Sequence, residues 1–269
     1  MSRSKRLIML VGDARVGKST ITKLLIELLC SQSRRIKVFN HDSQGKLSSH
    51  YSLVSIESLD FLDGGTDKML DDLSDLELDA IFIDMPGQYL EQIFKYIVEA
   101  DLFSILESHK WRLTFLQPIS HRLYCLDYLE NLIVFSGSKA DYVVVKNLYF
   151  DDRFVDYHKL MQRRLSRWGG ISLELGALHR NIYQVLERAG KPYSQVWGDP
   201  SINVLYRSYI YRWIENFNKS VLNDCNVSKY LGLSNGSDNG RLARTDSRTE
   251  DASISSDNQI RDLPGRSAF

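Results

Sequence analysis

The chain has 269 residues, 43% of them hydrophobic and 25% charged, with equal numbers of basic and acidic side chains and a formal net charge of zero. That composition is ordinary for a globular protein and large enough for a sizeable core, and the balanced charge excludes bulk attraction to nucleic acid or membrane, so any such contact needs a local patch. The three cysteines, Cys30, Cys125 and Cys225, are far apart with no C-x-x-C spacing and read as reduced core thiols. No apolar run approaches the roughly 20 residues of a membrane span, and the N-terminal run is too short for a signal peptide, so the expected location is the cytoplasm.

In chain order, Arg6 to Val11 is an unbroken apolar run of strand length. It leads into Gly12-Asp13-Ala14-Arg15-Val16-Gly17-Lys18-Ser19-Thr20, which reads G-x-x-x-x-G-K-S. Ile21, Leu24, Leu25, Leu28 and Leu29 then recur at helical spacing. A buried strand, a glycine loop and a helix are the context this phosphate-binding loop requires. Gly12 and Gly17 permit backbone conformations that a side chain forbids, so successive N–H groups can point inward at the positive end of a helix. In this reading residues 12 to 20 cradle phosphates, Lys18 neutralises the β- and γ-phosphates, and the Ser19 hydroxyl ligates Mg²⁺.

Arg35 to Asn40 predicts a second strand, ending in the polar loop His41 to Ser48. A short edge strand is expected around Leu53 to Ile56, and an acidic surface helix over Asp67 to Leu76. Ala80 to Gly87 is a buried strand ending in an acid and a turn, and Gln88 to Glu99 is amphipathic, with Leu90, Ile93, Phe94 and Ile97 on one face. Leu102 to His109 continues as a helix. Arg112 to Pro118 is a strand, His121 to Phe135 a helix, and Ala140 to Asn147 an apolar strand with a polar end. A helix over Phe154 to Trp168 carries Lys159, Arg163, Arg164 and Arg167, whose bland reading is a solvated face. Ile171 to Leu175 is a last short strand, Asn181 to Arg188 a helix stopped by Gly190-Lys191-Pro192, and Val204 to Leu222 a long aromatic helix. From 232 the chain turns to Ser, Asp, Asn and Arg with few large apolar residues, a composition expected to stay disordered.

Apolar strands alternating with helices predict an α/β, doubly wound, mostly parallel sheet with helices on both faces, formed by residues 1–231 and followed by a polar tail over 232–269. Ligands in such sheets bind at the carboxyl ends of the strands. The polar motifs Gly12 to Ser19, Asn40 to Gly45, Asp84 to Gly87 and Asn147 all lie at such ends. Asp84 fits an acid that holds Mg²⁺ directly or through water, Gly87 a backbone N–H that senses the γ-phosphate, Asp42 a carboxylate that orients water, and Asn147 an amide that meets the purine edge.

These motifs in this order resemble the ParA/MinD/CobQ class of deviant-Walker P-loop ATPases. That family reads K-G-G-x-G-K-[ST] at the loop, D-x-D-P-Q-G-N after the second strand and D-x-P-G after the third. Asn40-His41-Asp42-Ser43-Gln44-Gly45-Lys46 is similar to the second motif and Asp84-Met85-Pro86-Gly87 to the third. Phe115 to Pro118, Val144 to Asn147 and Ala189 to Pro192 resemble later family motifs. The resemblance covers most of residues 5 to about 220, and plasmid-stability and conjugal-transfer members are the nearest sub-reading. It implies Mg²⁺-ATP binding and hydrolysis, a switch role in plasmid or chromosome maintenance, a homodimer formed on ATP, and a DNA or DNA-binding protein partner. No amphipathic helix for membrane targeting is expected in the tail. The family's signature lysine, which crosses that dimer, falls at position 13, where this chain has Asp13, and Arg15 lies two residues on. The alternatives are a metabolic enzyme on the same scaffold that activates a carboxylate with ATP, similar to dethiobiotin synthetase or cobyrinate amidase, and a nucleotide-binding scaffold without turnover. Asn-Lys-x-Asp is absent, which favours adenine over guanine.

Overall fold

Lys5–Leu10 forms β1, and its side chains alternate between two separate cores. Leu7 and Met9 point to one and Ile8 and Leu10 to the other, which is why residues 7–10 include no polar side chain. The computed structural model describes residues 5–41, 45, 47–59 and 67–233. Within them, β1 is joined by β2 (Ile36–Asn40), β3 (Ile56–Ser58), β4 (Ala80–Asp84), β5 (Trp111–Ile119), β6 (Ala140–Asn147) and β7 (Ile171–Leu175) in one seven-stranded sheet, ordered β3-β2-β4-β1-β5-β6-β7. Every pairing is parallel.

The chain leaves β1 toward one edge, returns as β4, and then crosses to the other side as β5. The sheet therefore changes winding direction beside β1, and a crevice opens there at the strand carboxyl ends. Register places Leu10, Asp84 and Asn40 level with one another on β1, β4 and β2. The loop after β1 thus emerges next to the acid that ends β4.

One face of the sheet is covered by α3 (Leu90–Glu99), α4 (Leu102–Ser108) and α5 (Leu123–Ser136), the other by α1 (Lys18–Ser31), α7 (Arg180–Arg188), α8 (Val204–Leu222) and α9 (Cys225–Tyr230). This is the doubly wound, parallel α/β architecture that the apolar strands implied. The buried apolar face of α1, Ile21, Leu24, Leu25, Leu28 and Leu29, contributes about 1.5–3 kcal/mol per side chain removed from water. Polar residues of α1 are buried as well, because the segment from α7 to Tyr193 covers its outer side. Lys23 Nζ donates to Glu187 at 2.8 Å, and Glu27 accepts from the backbone N–H of Tyr193 and Ser194 at 2.5 and 2.7 Å. His50, fully buried, closes the same cluster with its Nε2 2.7 Å from Glu27.

Several expectations need adjusting. The edge strand lies at Ile56–Ser58 rather than around Leu53 to Ile56, because a turn over Ser48–His50 with Leu53 N–H bonded to the His50 carbonyl delays the extended run. The acidic helix is shorter, α2 (Asp67–Asp72). The helix expected over 154–168 passes through a π-helical turn, Tyr157–Met161, before α6 (Gln162–Arg167). That wider turn keeps Tyr157, Met161 and Leu165 on the buried face. Gly232 and Leu233 lie beyond the expected end of the folded region, yet Leu233 is packed into the core and its carbonyl accepts from Arg34. The rest of the expected tail, from 234, lies outside the described residues.

Candidate functional site

The loop after β1 is pinned at its start by Val11 N–H donating to the Leu116 carbonyl at 3.0 Å. Gly12 and Gly17 have φ of 119° and 101°, the left-handed region that favours glycine. Gly17 also has no room for a side chain, since a Cβ there would lie 2.7 Å from Asn147 Nδ2. The first turn of α1 has no side-chain cap, so its N–H groups are left to face an anion in the crevice.

Asn147, at the end of β6, holds the loop from below: Nδ2 donates to the Val16 carbonyl at 3.0 Å and Oδ1 accepts the Tyr149 N–H at 3.2 Å. In this conformation its amide is engaged with the loop itself. Gly87 closes the loop from the β4 side, where a Cβ would meet the Ala14 backbone nitrogen at 2.8 Å. Lys18 folds over the loop and donates from Nζ to the Asp13 carbonyl at 2.7 Å and to that of Gly12 at 3.3 Å. Thr20 Oγ1 and the Tyr183 hydroxyl are 2.7 Å apart, which ties the start of α1 to α7.

These parts bound a cleft of 1020 Å³, at the upper end of the range for small-molecule pockets. Ala14, Arg15, Gly17, Lys18, Ser19, Thr20, Asp84, Gly87 and Asn147 all line it. Of the other expected site residues, Gly12 and Asp13 form the back of the loop, and Val16 is buried beneath it. Asp42 lies outside the described residues. Asp84 is only 4% exposed; with the Ser19 hydroxyl it presents hard oxygen donors, which suit a magnesium ion that takes its remaining ligands from phosphate and water.

The far half of the cleft is different in kind. Tyr149, Phe150, Leu178, Tyr183 and Trp213 supply apolar and aromatic surface, with Arg180 and Gln184 as polar groups. Trp213 is fixed by its Nε1 donating to the Gly176 carbonyl at 2.7 Å. Burial pushes the Tyr183 hydroxyl above its usual range, so it stays neutral as a hydrogen-bonding group. A phosphate-facing half joined to an aromatic half suits a molecule with a charged chain and a planar ring.

Sequence reasoning missed the aromatic half and Arg122. Tyr149 and Phe150 directly follow the polar strand end at Asn147, a signal that was available; Tyr183 and Trp213 come from distant helices that carried none. Arg122, just before α5, places Nη1 2.5 Å from Asp13 Oδ2. Asp13 Oδ1 accepts the Ala14 N–H at 2.7 Å. Position 13 is thus a buried carboxylate paired within the chain.

No family model matches the chain, and no curated protein matches it. Among solved structures, it is similar to a putative plasmid partition protein from Borrelia burgdorferi B31 bound to AMPPNP, at 13% identity over 81% of this chain and 99% of that one, with a TM-score of 0.48. It is similar to the MinD cell division protein of Aquifex aeolicus at 13% identity over 80% and 96%, TM-score 0.44. The match to the signal recognition particle receptor FtsY from Elizabethkingia anophelis, at 14% identity and TM-score 0.41, covers 53% of this chain and 51% of that one, so it spans about half the receptor's length. At these identities and scores the likenesses bear on nothing about activity, and the cleft's chemistry rests on its own residues.

Proposed function

We propose that the protein is a nucleotide-dependent switch ATPase that binds Mg²⁺-ATP in the cleft between the loop after β1, the end of β4 and the end of β6. The observation that carries this reading is the convergence of Lys18, Ser19, Asp84, Gly87 and Asn147, from three separate stretches of sequence, on one cleft. In the proposed complex Lys18 leaves the loop carbonyls for the phosphates, and loop N–H groups and the α1 N-terminus bind their oxygens. Ser19 and Asp84 would hold Mg²⁺, whose chemistry is to neutralise charge on the phosphate oxygens. The aromatic half takes the base. Gly87, packed on Ala14, is the proposed reporter of the terminal phosphate, and Asp42 is the proposed water-orienting acid. The output is contact with a partner rather than a metabolite, with plasmid or chromosome maintenance or conjugal transfer as the proposed setting.

DNA is the partner we favour. Lys159, Arg163, Arg164 and Arg167 share an exposed concave face with Leu160 and Trp168, and Arg164 alone of these four is paired with a carboxylate, Glu130, among the described residues. Phosphate contacts from such a face give sequence-independent binding that falls steeply with salt.

The test is calorimetric titration of the full chain with ATP and Mg²⁺, followed by a turnover assay with and without DNA. Lys18→Ala is expected to abolish ATP binding while the protein still melts cooperatively. Equal affinity in wild type and variant would remove the cleft from consideration. Tight binding without turnover would instead favour the scaffold reading, which the Asp13–Arg122 pair keeps in view.

A further inference from the structure

The carboxylate of Asp13 poses an electrostatic problem. It is 5% exposed, it bonds the N–H of Ala14, which lines the cleft, and it therefore lies one residue behind the proposed phosphate position. An unpaired buried carboxylate there would oppose every added phosphate charge, in surroundings that screen it less than water does.

We propose that Arg122 is the specificity-determining residue that makes this loop accept a triphosphate. Its Nη1 pairs with Asp13 Oδ2 at 2.5 Å and its Nη2 lies 3.4 Å from the Ala14 carbonyl. One guanidinium thus cancels the carboxylate and orients the cleft-lining residue. The side chain is 41% exposed, and a guanidinium has five N–H donors in a fixed fork, so holding Asp13 does not use all of its capacity. In this chain the compensating cation comes from within, from the residue preceding α5. The pair is an internal charge balance, and its removal is felt more by ATP than by ADP because ATP carries more negative charge. Nothing in the motif at residues 12 to 19 signals this, since Arg122 is 109 positions away from Asp13.

The inference rests on the nucleotide reading of the cleft, and the test separates the two. ATP and ADP affinities are measured by calorimetry for wild type, Arg122→Ala, and Arg122→Ala combined with Asp13→Asn, with thermal melts as the folding control. Arg122→Ala is expected to weaken ATP by about tenfold or more and ADP by clearly less. Adding Asp13→Asn is expected to restore the ATP-to-ADP ratio to within about threefold of wild type, because no buried charge is left to compensate. A merely structural role predicts the opposite, with both nucleotides weakened alike and no rescue, and that result overturns the inference. If Arg122→Ala fails to fold, Arg122→Lys, which keeps the charge without the fork, is expected to preserve the ratio; a ratio shifted as far as the alanine prediction overturns the proposal. A wild-type chain that binds neither nucleotide overturns the proposed function and this inference with it, whereas binding that is indifferent to residue 122 overturns the inference alone.

Discussion

Gly87→Ala tests how the end of β4 is coupled to the phosphate loop. Gly87 is not among the residues with positive φ, so alanine meets no backbone penalty and the cost is steric. The added Cβ would lie 2.8 Å from the Ala14 nitrogen, 3.0 Å from its Cα and 3.1 Å from its Cβ. Two of the three atoms are backbone, which cannot rotate away as a side chain end would. The loop and the turn after Asp84 must separate by a few tenths of an ångström, an overpacking cost of about 1–3 kcal/mol. The turn after β4 is the softer partner, since Asp84 is held in the sheet whereas residues 85–89 connect it to α3. Separation therefore falls on the proposed nucleotide complex, and the expected result is a loss of ATP affinity of about 5- to 150-fold, read by calorimetry. The melting temperature of the nucleotide-free protein should stay within about 2–4 °C of wild type. Gly198→Ala is the control, since Gly198 has open space and no positive φ. Wild-type affinity in Gly87→Ala would refute the claim that these two segments close on one ligand.

Other expectations follow from single side chains. Asn147→Ala removes the partner of the Val16 carbonyl and of the Tyr149 N–H; about 1–3 kcal/mol of loop order is lost, and ATP affinity should drop roughly tenfold, with unchanged affinity counting against the bracing role. Glu27→Ala leaves His50 and two backbone N–H groups without their acceptor in a buried place, a cost of about 2–4 kcal/mol, which at about 2–4 °C per kcal/mol should lower the melting temperature by about 5–15 °C. Burial alone pushes the Glu27 carboxyl up, but hydrogen bonds from His50 and Ser194 outweigh it and hold the group below its ordinary value of 4.5. A depressed carboxylate stabilises the fold above its unfolded value and loses that contribution as pH falls through the folded one. Wild-type melting temperature should thus decline more steeply below about pH 4.5 than that of Glu27→Gln; parallel profiles would show that Glu27 does not titrate with folding. Raising salt from 50 to 200 mM should weaken DNA binding steeply in wild type and less in Lys159→Ala/Arg163→Ala, a salt-insensitive complex being incompatible with phosphate contact.

Local chemistry determined a great deal. The short apolar stretches within 7–11, 80–83 and 142–145, alternating with helical patterns, read as strands covered on both sides, because successive side chains of a strand point to opposite faces, and that implied the parallel, doubly wound sheet. The glycines of the loop declared backbone conformations open to few other residues. Strand-end placement of Asp84, Gly87 and Asn147 was legible because the carboxyl edge of such a sheet is where its connections meet. No helix among the described residues is long and apolar enough to cross a membrane, as hydropathy alone had indicated.

What tertiary structure decided concerns pairs remote in sequence. Only packing could reveal that Asn147 spends its amide on the loop carbonyl of Val16, that Tyr183 and Trp213 wall the cleft, and that Arg122 sits on Asp13. The π-helical turn before α6 and the burial of Leu233 depended likewise on what lay opposite them. Periodicity reports which face of a segment is apolar, but it carries no record of which other segment covers that face. A lone arginine looks like solvated charge until folding places a buried carboxylate beside it.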